Sequence, residues 1–353
     1  MIRVGLVGCG FIGTAHAYVL QKLAEAGLVD AALVATHDAD PARAERVARH
    51  HGGEAAPSLD ELLARVDAVW VCTWTAGHLA VVEAAAARGL AVFCEKPLAP
   101  TLAESERVAA ALATVPHQVG LVLRWAPVFA NAAEIVHSGR YGRPQATVLR
   151  DDQYFPIQGR YASSWRKDVA LAGGGTLVEH SIHDVDVLRW LLGDPETVSA
   201  RTASRHGYPG IDDVAAVTLT YPDGGVAQLT SVWHRVLSRE SSRRIEIFCE
   251  EALLWADDDY LGPLHVQTSD SRHTVEGAPP EWAAELRVPA ELASAVAAYA
   301  TPTKAFLDGL AGGRPGASGH PSAAEALAAH RVVDRAYRSA AAGGAPERCR
   351  TAD

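Results

Sequence analysis

The segment after the triple glycine at 173–175 carries the side-chain types that acid–base chemistry needs. Its apolar pattern predicts one helix from about residue 177 to residue 192. On such a helix Glu179, His183 and Asp186 stand at positions i, i+4 and i+7 and share one face. A histidine can take the proton of a hydroxyl group near neutral pH, and a carboxylate one turn away can fix its tautomer and orientation. The segment therefore predicts an acid–base pair suited to the oxidation of an alcohol.

Two other interpretations of this segment stay open. His180 and His183 lie three residues apart and, with the nearby aspartates, have a spacing that can chelate a metal ion. The polar side chains can also cap a helix or form a solvated helix face. Ile182, Val185 and Leu188 form an apolar stripe beside the polar groups, which favours the wall of a cleft over a solvated face. We favour the acid–base interpretation and expect no metal.

The sequence Glu95-Lys96-Pro97 follows a short apolar run at 91–94 that predicts a buried strand. A lysine at the carboxyl end of such a strand can donate to a carbinol oxygen and stabilise the negative charge that develops as a hydride leaves the carbon. The proline after it can impose a cis peptide bond or a sharp turn. Taken alone, Lys96 also fits a solvated surface residue, so its role depends on its neighbours in space.

Three glycines, Gly8, Gly10 and Gly13, follow a predicted strand at 3–7 and precede a predicted helix that begins near Ile12. In such a strand–turn–helix the first glycine permits the tight turn, the second lets the backbone approach a pyrophosphate, and the third lets the helix pack on the strand. The helix N-terminus then presents N–H groups to the phosphates. The pattern predicts a dinucleotide site, with an incidental glycine turn as the alternative.

Asp38 ends the sequence Thr36-His37-Asp38 after the second predicted strand. A carboxylate there can accept hydrogen bonds from both hydroxyls of an adenosine ribose and would repel a 2′-phosphate. This predicts NAD rather than NADP as the cofactor. Asp40 and Arg43 lie close by and keep two alternatives open, NADP and an incidental aspartate.

The first 123 residues alternate short apolar runs with helical segments, which predicts βαβ crossovers and a doubly wound parallel sheet. Ligands of such sheets lie outside the carboxyl ends of the strands. The predicted strands are 3–7, 31–35, 68–73, 91–94 and 117–123. After Arg124 the predicted strands follow one another with turn signals between them, at 145–152, 214–221, 226–233, 244–249 and 264–268. This second pattern predicts a mostly antiparallel sheet.

Two Ala-rich helices, at about 290–310 and 323–342, are predicted to close the chain, with a Gly/Pro-rich loop at 312–321 between them. We therefore predict an α/β chain of two domains. The domain at 1–123 holds the parallel sheet. The domain at 124–353 is α+β with a large, open, mostly antiparallel sheet, and its terminal helices can pack back on the first domain.

The composition argues against several classes of function. The formal net charge of −10 disfavours a nucleic-acid-binding surface, which needs clustered Lys and Arg. No apolar run predicts a membrane span, and the first residues lack the pattern of a signal peptide. The five cysteines are scattered, which disfavours a disulfide framework. We expect a cytoplasmic protein whose partner is a small molecule.

Taken together, these motifs resemble the Gfo/Idh/MocA family, the glucose–fructose oxidoreductase and inositol dehydrogenase group. The resemblance spans nearly the whole chain: the glycine turn, Asp38, the run 84–98 that includes Glu-Lys-Pro, the segments 165–175 and 179–193, and the Ala-rich carboxyl end. It implies a Rossmann domain at 1–123 and a larger domain whose open sheet serves substrate binding and a homo-oligomer, a dimer or tetramer. Most members oxidise or reduce a CH–OH group of a sugar or cyclitol.

Carried over by position, Lys96 and His183 match the family's lysine and histidine, and Glu179 stands where aspartate is usual. The extra methylene of Glu179 is compatible with an orienting role but shifts the geometry. Val122 replaces a frequent asparagine, and Trp74 replaces a small residue or proline. The resemblance thus implies three catalytic residues, Lys96, His183 and Glu179, in a pocket that is atypical of the family.

Two further sets of residues follow from the glycine turn and the resemblance. The cofactor-binding residues that we expect are Gly8, Gly10, Phe11, Ile12, Gly13, Asp38, Thr73, Trp74, His78, Glu95 and Lys96. The substrate-binding residues that we expect are Lys96, Arg124, Tyr154, Trp165, Arg166, Asp168, His180 and His183. Aromatic rings can stack on the apolar face of a pyranose, and Arg and Asp side chains can bracket hydroxyl groups. For several of these residues packing at an interface is the alternative.

The hypothesis is hydride transfer between NAD and a sugar, sugar derivative or cyclitol. His183 acts as acid/base, Lys96 polarises the oxygen and Glu179 orients the pair, which requires the three side chains to converge on one carbon. One alternative is a reaction that recycles NAD internally, as in the oxidation–elimination or epimerisation of a glycoside. Others are a reductase of another carbonyl or imine, and a non-catalytic sugar or NAD sensor, which the presence of the lysine and histidine disfavours.

Overall fold

The computed structural model describes residues 1–239, 241–312 and 321–349. The chain divides into two compact units. The first unit comprises Met1–Val122 and Pro279–Leu327, and the second comprises Leu123–Ala278 and Ala328–Asp353. Within the described part of the chain, none of the helices combines the length and the apolar character that a membrane crossing requires.

The amino-terminal part of the first unit alternates strands and helices, as predicted. Its elements are β1 (Ile2–Val7), α1 (Phe11–Glu25), β2 (Ala31–His37), α2 (Pro41–His51), β3 (Glu54–Ala55), α3 (Leu59–Leu63), β4 (Ala68–Val71), α4 (His78–Ala86), β5 (Ala91–Cys94), α5 (Leu102–Leu112) and β6 (His117–Val119). The strands form a wholly parallel sheet in the order β3-β2-β1-β4-β5-β6. β4 and β5 are buried at every residue, because both faces of a parallel sheet are covered.

The rest of the chain carries the second sheet and the terminal helices. Its elements are α6 (Pro127–Ser138), β7 (Pro144–Tyr154), α7 (Val169–Ala172), α8 (Thr176–Glu179), α9 (Ile182–Leu192), β8 (Thr197–Ala203), β9 (Val214–Thr220), β10 (Val226–His234), β11 (Ser242–Cys249), β12 (Leu253–Ala256), β13 (Leu264–Gln267), β14 (Arg272–Val275), α10 (Ala290–Ala311), α11 (Ala323–Ala341) and β15 (Glu347–Arg348). The strand order of this second sheet is β14-β13-β12-β11-β7-β10-β9-β8-β15. Among its described strands, only the β7–β10 pair is parallel. The predicted fold class is confirmed.

One face of the second sheet carries the core of the second unit. Burial alternates along β9 and β10, as expected when an antiparallel sheet covers a core with one face only. Leu149 of β7, Leu188 of α9 and Val332 of α11 belong to the same apolar cluster. Helix α9, which carries His183, is therefore anchored on the sheet by its apolar side.

The helix α10 belongs to the first unit. Its residues were assigned by sequence to the second domain, with the provision that the terminal helices can pack back on the first. Phe306 and Leu307 of α10 pack in an apolar cluster with Leu6, Trp70 and Phe93 of the parallel sheet. The Phe306 ring makes edge contacts with the rings of Trp70 and Phe93. The sequence allowed this return of the chain but did not identify the residues that α10 contacts, because the pattern of α10 shows an apolar face without showing which element covers it.

Three details of the predicted elements were wrong. The strand predicted at 117–123 ends at Val119, because a 3-10 turn at Val122–Trp125 follows closely and the N–H of Val119 is already bonded to the carbonyl of Pro321. The short or polar strands β3, β8, β12, β14 and β15 were not predicted. The third error, the single helix at 177–192, concerns the functional site.

The predicted Gly/Pro-rich loop at 312–321 falls mostly on 313–320, outside the described residues.

Candidate functional site

The glycine turn between β1 and α1 is explained by packing at two of its three glycines. Gly8 has a φ of +95°, and a Cβ there would lie 2.4 Å from the carbonyl carbon of Cys72. A Cβ at Gly13 would lie 1.9 Å from the carbonyl oxygen of Gly8. A Cβ at Gly10 would meet no heavy atom of the described residues within 4 Å. The turn therefore leaves an opening at Gly10, which fits the close backbone approach of a pyrophosphate.

Asp38, directly after β2, is fixed against this turn. Its Oδ2 accepts a hydrogen bond from the N–H of Cys9 at 2.6 Å, and its Oδ1 accepts from the N–H of Asp40 at 2.8 Å. Both bonds hold the carboxylate at the edge of the glycine turn. This is the edge at which the sequence analysis expects the adenosine ribose.

The segment after β4 and the segment after β5 are joined by His78. Its imidazole Nδ1 lies 2.9 Å from the carbonyl oxygen of Pro97, and its Nε2 lies 3.3 Å from that of Thr73. His78 is 1% exposed. Within the first unit these two contacts with backbone carbonyls link the Thr73 loop to the loop of Lys96. The expected contact of His78 with the cofactor stays a prediction. Trp74, in contrast, is 40% exposed beside it.

Glu95 forms a buried pair with a histidine that sequence analysis missed. The Glu95 Oε1 lies 2.8 Å from His16 Nε2, and its Oε2 accepts from the N–H of Lys96 at 3.2 Å. A Cβ at Gly120 would lie 2.7 Å from Oε1, so the glycine makes room for the carboxylate. Burial acts to raise the pKa of Glu95, but His16, together with the charge and the backbone N–H of Lys96, outweighs it and holds that pKa below its ordinary value. The only sequence signal was a histidine three residues after Gly13.

Lys96 lies at the carboxyl end of β5, next to β4 in the sheet. The Lys96–Pro97 peptide bond is cis, one of the two conformations that sequence analysis allowed. The glycine turn after β1 and the loop after β4 border the same edge, since β1 pairs with β4. The first unit therefore brings together the glycine opening and Lys96 at one sheet edge, as expected of a parallel sheet.

In the second unit, backbone conformation and close neighbours explain why three glycines precede the segment of Glu179. Gly173 has a φ of +82° and ends α7. A Cβ at Gly174 would lie 2.6 Å from the Tyr337 hydroxyl, and one at Gly175 would lie 1.8 Å from the Asp212 carbonyl oxygen. The Asp212 carboxylate accepts from the N–H of Gly175 at 2.8 Å and from the Tyr337 hydroxyl at 2.8 Å. Asp212 and Tyr337 were not predicted as site residues, because nothing in their local sequence indicates this contact.

The segment that follows is not one helix. α8 ends at Glu179 and α9 begins at Ile182, so Glu179 and His183 stand on different helices and the i, i+4 argument was wrong. The N–H groups of both His180 and Ser181 bond to the carbonyl of Thr176, which breaks the regular ladder. The Ser181 hydroxyl is held by buried groups of the neighbouring sheet, which fixes the turn. His183 and Asp186 remain on α9, one turn apart.

Glu179 is paired with an arginine. Arg166 Nε donates to Glu179 Oε2 at 3.0 Å, its Nη1 donates to the Ser163 hydroxyl at 2.9 Å, and its guanidinium lies 4.4 Å from the centre of the Trp165 ring. Glu179 is 2% exposed. Two expected substrate residues, Trp165 and Arg166, thus pack against each other, and Arg166 also contacts Glu179, the candidate orienting carboxylate.

The other expected substrate residues lie in varied settings. Arg124 is buried and donates twice to Asp186, through Nε and Nη2, both at 2.7 Å. The ring of Tyr154 is buried against Tyr161. The side chain of Asp168 is exposed and caps α7 by accepting from the N–H of Ala170. Arg124 and Asp168 thus have clear structural partners that sequence analysis did not anticipate.

Comparison with known proteins identifies relatives of both parts of the chain. Residues 2–121 match a family model described as an oxidoreductase family with an NAD-binding Rossmann fold, and residues 129–254 match the GFO/IDH/MocA C-terminal domain. Inositol 2-dehydrogenase of Rhizobium meliloti (strain 1021) is 30% identical over 96% of this chain and 97% of its own. Myo-inositol 2-dehydrogenase of Thermotoga maritima is 31% identical over 73% of this chain and 75% of its own.

A solved structure of levoglucosan dehydrogenase in complex with NADH and L-sorbose superposes with a TM-score of 0.86. It covers 99% of both chains at 23% sequence identity. This likeness establishes a shared fold.

Proposed function

Because this chain belongs to the Gfo/Idh/MocA family of NAD-binding oxidoreductases, we propose that it transfers a hydride between NAD and a CH–OH or C=O group of a sugar, sugar derivative or cyclitol. The observation that carries the proposal is Lys96 at the carboxyl end of β5, on the sheet edge that also holds the opening at Gly10. The substrate class follows the relatives, which are named for inositol.

In this proposal bound NAD supplies the carbon that accepts or returns the hydride. His183 takes the proton of the substrate hydroxyl during oxidation and returns it during reduction. Lys96 donates a hydrogen bond to the same oxygen and stabilises its developing negative charge. Glu179 orients the histidine, and its own position is supported by the hydrogen bond from Arg166. Substrate hydroxyls are bound by further residues, of which Trp165, Arg166 and His180 are the main candidates.

The three glycines allow a matched test of the dinucleotide site. We expect Gly13→Ala to destabilise the fold by about 3 kcal/mol, because the new methyl group overlaps the carbonyl oxygen of Gly8. Gly10→Ala should leave the free energy of unfolding nearly unchanged, since its Cβ enters open space, and should weaken NAD binding. Urea unfolding and NAD titration of both variants check this. If folded Gly10→Ala binds NAD with full affinity, the pyrophosphate does not approach the backbone at Gly10.

The cofactor preference is tested at Asp38. We propose NAD over NADP because the carboxylate, fixed by the N–H groups of Cys9 and Asp40, would face the adenosine ribose. Asp38→Asn keeps an acceptor oxygen for the N–H of Cys9, but it removes the charge and the acceptor for the N–H of Asp40. We expect its NAD-to-NADP ratio of kcat/KM to fall by at least about tenfold, since the repulsion of a 2′-phosphate is lost. An unchanged ratio would show that Asp38 only supports the turn.

We also propose a homo-oligomer formed through the outer face of the second sheet. Val148 of β7 and Phe248 of β11 are 38% and 41% exposed, and both lie on this face. Exposed apolar side chains on an open sheet are typical of an interface. Analytical ultracentrifugation of the wild type and of Phe248→Glu measures whether a dimer or tetramer forms there.

The function itself is tested with a panel of sugars and cyclitols, each offered with NAD and with NADP, followed at the absorbance of the reduced nicotinamide. Reduced cofactor accumulating in proportion to oxidised substrate supports the proposal. Substrate turnover without such accumulation would favour internal recycling of NAD, and binding without turnover would favour a sensor.

A further inference from the structure

A cluster of ionisable side chains lies buried in the second unit, beside the turn that precedes α9. Arg243 on β11 is 5% exposed. It donates through Nε to Asp184 Oδ1 at 2.7 Å, through Nη1 to Asp259 Oδ2 at 2.8 Å and through Nη2 to Asp151 Oδ2 at 3.2 Å. His180 Nε2 lies 3.0 Å from Asp151 Oδ1. Three carboxyl groups therefore share one arginine and one histidine.

Hydrogen-bond donors are divided unequally between two of these carboxyl groups. Asp151 accepts from Arg243 and from the hydroxyl of Ser181, the latter at 3.1 Å. Its Oδ1 also contacts His180 Nε2, which Arg243 Nη2 approaches at 3.3 Å. Asp184 accepts from Arg243 through Oδ1, and no N–H or O–H group of the described residues donates to its buried Oδ2. A buried carboxylate oxygen without a donor is costly. The donor count thus identifies Asp151 as the anion and Asp184 as the carboxyl group that carries a proton.

The surroundings of the pair agree with this assignment. Asp151 and Asp184 both contact the Arg243 guanidinium, and each carboxyl group shifts the pKa of the other. At this close range a proton on Asp184 can be donated to Asp151. Burial raises the pKa of Asp184 to about 7, with a further contribution from the charge of Asp151, while Arg243 and His180 act against the shift. Burial also raises the pKa of Asp151. Asp259, which accepts from Arg243, adds a further negative charge that raises the pKa of Asp151.

We propose that Asp151 and Asp184 share one proton at neutral pH and that this carboxyl–carboxylate pair positions His180 and the first turn of α9. Loss of the proton places a second negative charge against Asp151, so the geometry holds only while the proton is present. Asp151 orients His180 directly, and Asp184 is the neighbour of His183 in α9. The inference rests on the proposed function only where it concerns turnover, and the proton itself is tested without catalysis.

Two isosteric substitutions within the pair have opposite expected outcomes. In Asp184→Asn the amide keeps a donor toward Asp151 and an acceptor for Arg243, so we expect kcat/KM within about threefold of the wild type. Asp151→Asn removes the anion that accepts from Arg243 and Ser181 and contacts His180, so we expect a loss of at least about tenfold. If Asp184→Asn loses as much as Asp151→Asn, both groups are anions and the proposal is wrong.

The pH dependence of stability tests the proton independently of activity. The unfolded chain releases the Asp184 proton near its ordinary pKa of about 4, whereas the folded protein holds it until about pH 7. The folded state therefore binds more protons in this window, and the free energy of unfolding falls as the pH rises through it. We expect the free energy of unfolding of Asp184→Asn, measured with urea at each pH, to lack this decrease. If the free energy of unfolding changes with pH in the same way in the wild type and in the variant, the proposal is wrong.

Infrared spectroscopy supplies a second readout. At pH 6 the wild type should show the carbonyl band of a protonated carboxylic acid that is missing from Asp184→Asn, and absence of that difference band would also overturn the proposal. A wild type without dehydrogenase activity would refute the proposed function but leave both measurements intact. The two failures are therefore distinguishable.

Discussion

Replacing Lys96 by methionine is expected to lower kcat by about 10³-fold, because the substituted side chain has nearly the same shape but cannot donate to the oxygen that gains negative charge. NAD affinity should stay within about threefold of the wild type, since the dinucleotide is expected to bind mainly through the glycine turn and Asp38. Steady-state kinetics with the best substrate of the panel and a titration with NAD measure the two quantities.

Lys22→Met is the matched control. Lys22 makes an ion pair with Glu25 on α1, far along the sequence from the Glu-Lys-Pro motif, and should tolerate the same change with full activity. Equal activity of Lys96→Met and this control would show that the amine takes no part in the chemistry. A loss of NAD binding with unchanged kcat would assign Lys96 to the cofactor instead.

Replacing His183 by glutamine is expected to lower kcat by a similar factor, about 10³-fold, because glutamine cannot take the hydroxyl proton. The variant should also lose the part of the pH profile that reports protonation of this base, while substrate affinity changes less than kcat. The pH dependence of kcat and kcat/KM over the stable range measures both effects.

His273→Gln serves as the control for this change, since His273 is an exposed residue of β14. A His183→Gln variant with the pH profile and turnover of this control would contradict the assignment. The double variant of Lys96 and His183 adds a further check. If both residues act on one reacting carbon, its loss should be much smaller than the product of the two single losses.

Local sequence patterns predicted the parts of the site that depend on neighbours in the chain. The glycine turn was predicted because Gly8 and Gly13 are required by a strand–turn–helix whose elements are adjacent in sequence. Lys96 was placed at a strand end because the apolar run before it has the length of a buried strand. The assignment of Glu179 and His183 to one helix failed, because the break at Ser181 depends on partners from the sheet.

The contacts that the sequence did not reveal join residues far apart in the chain. His16 and Glu95 are 79 positions apart, Asp151 and Arg243 are 92 apart, and Asp184 and Arg243 are 59 apart. A periodic pattern identifies which face of an element is apolar, but it does not identify the element that covers this face. For the same reason, the sequence allowed α10 to pack back on the first domain but did not identify its partners there, Leu6, Trp70 and Phe93.

By itself, the sequence determined the fold class, the dinucleotide turn and the identities of the residues for which chemistry is proposed, because these depend on local spacing and on side-chain type. Only the tertiary structure decided which partners hold those residues: His16 for Glu95, Arg166 for Glu179, and Asp151 for His180. Hydrogen bonds and charges act over a few ångströms in space, whatever the separation along the chain. The protonation and orientation of these side chains are therefore properties of the folded molecule.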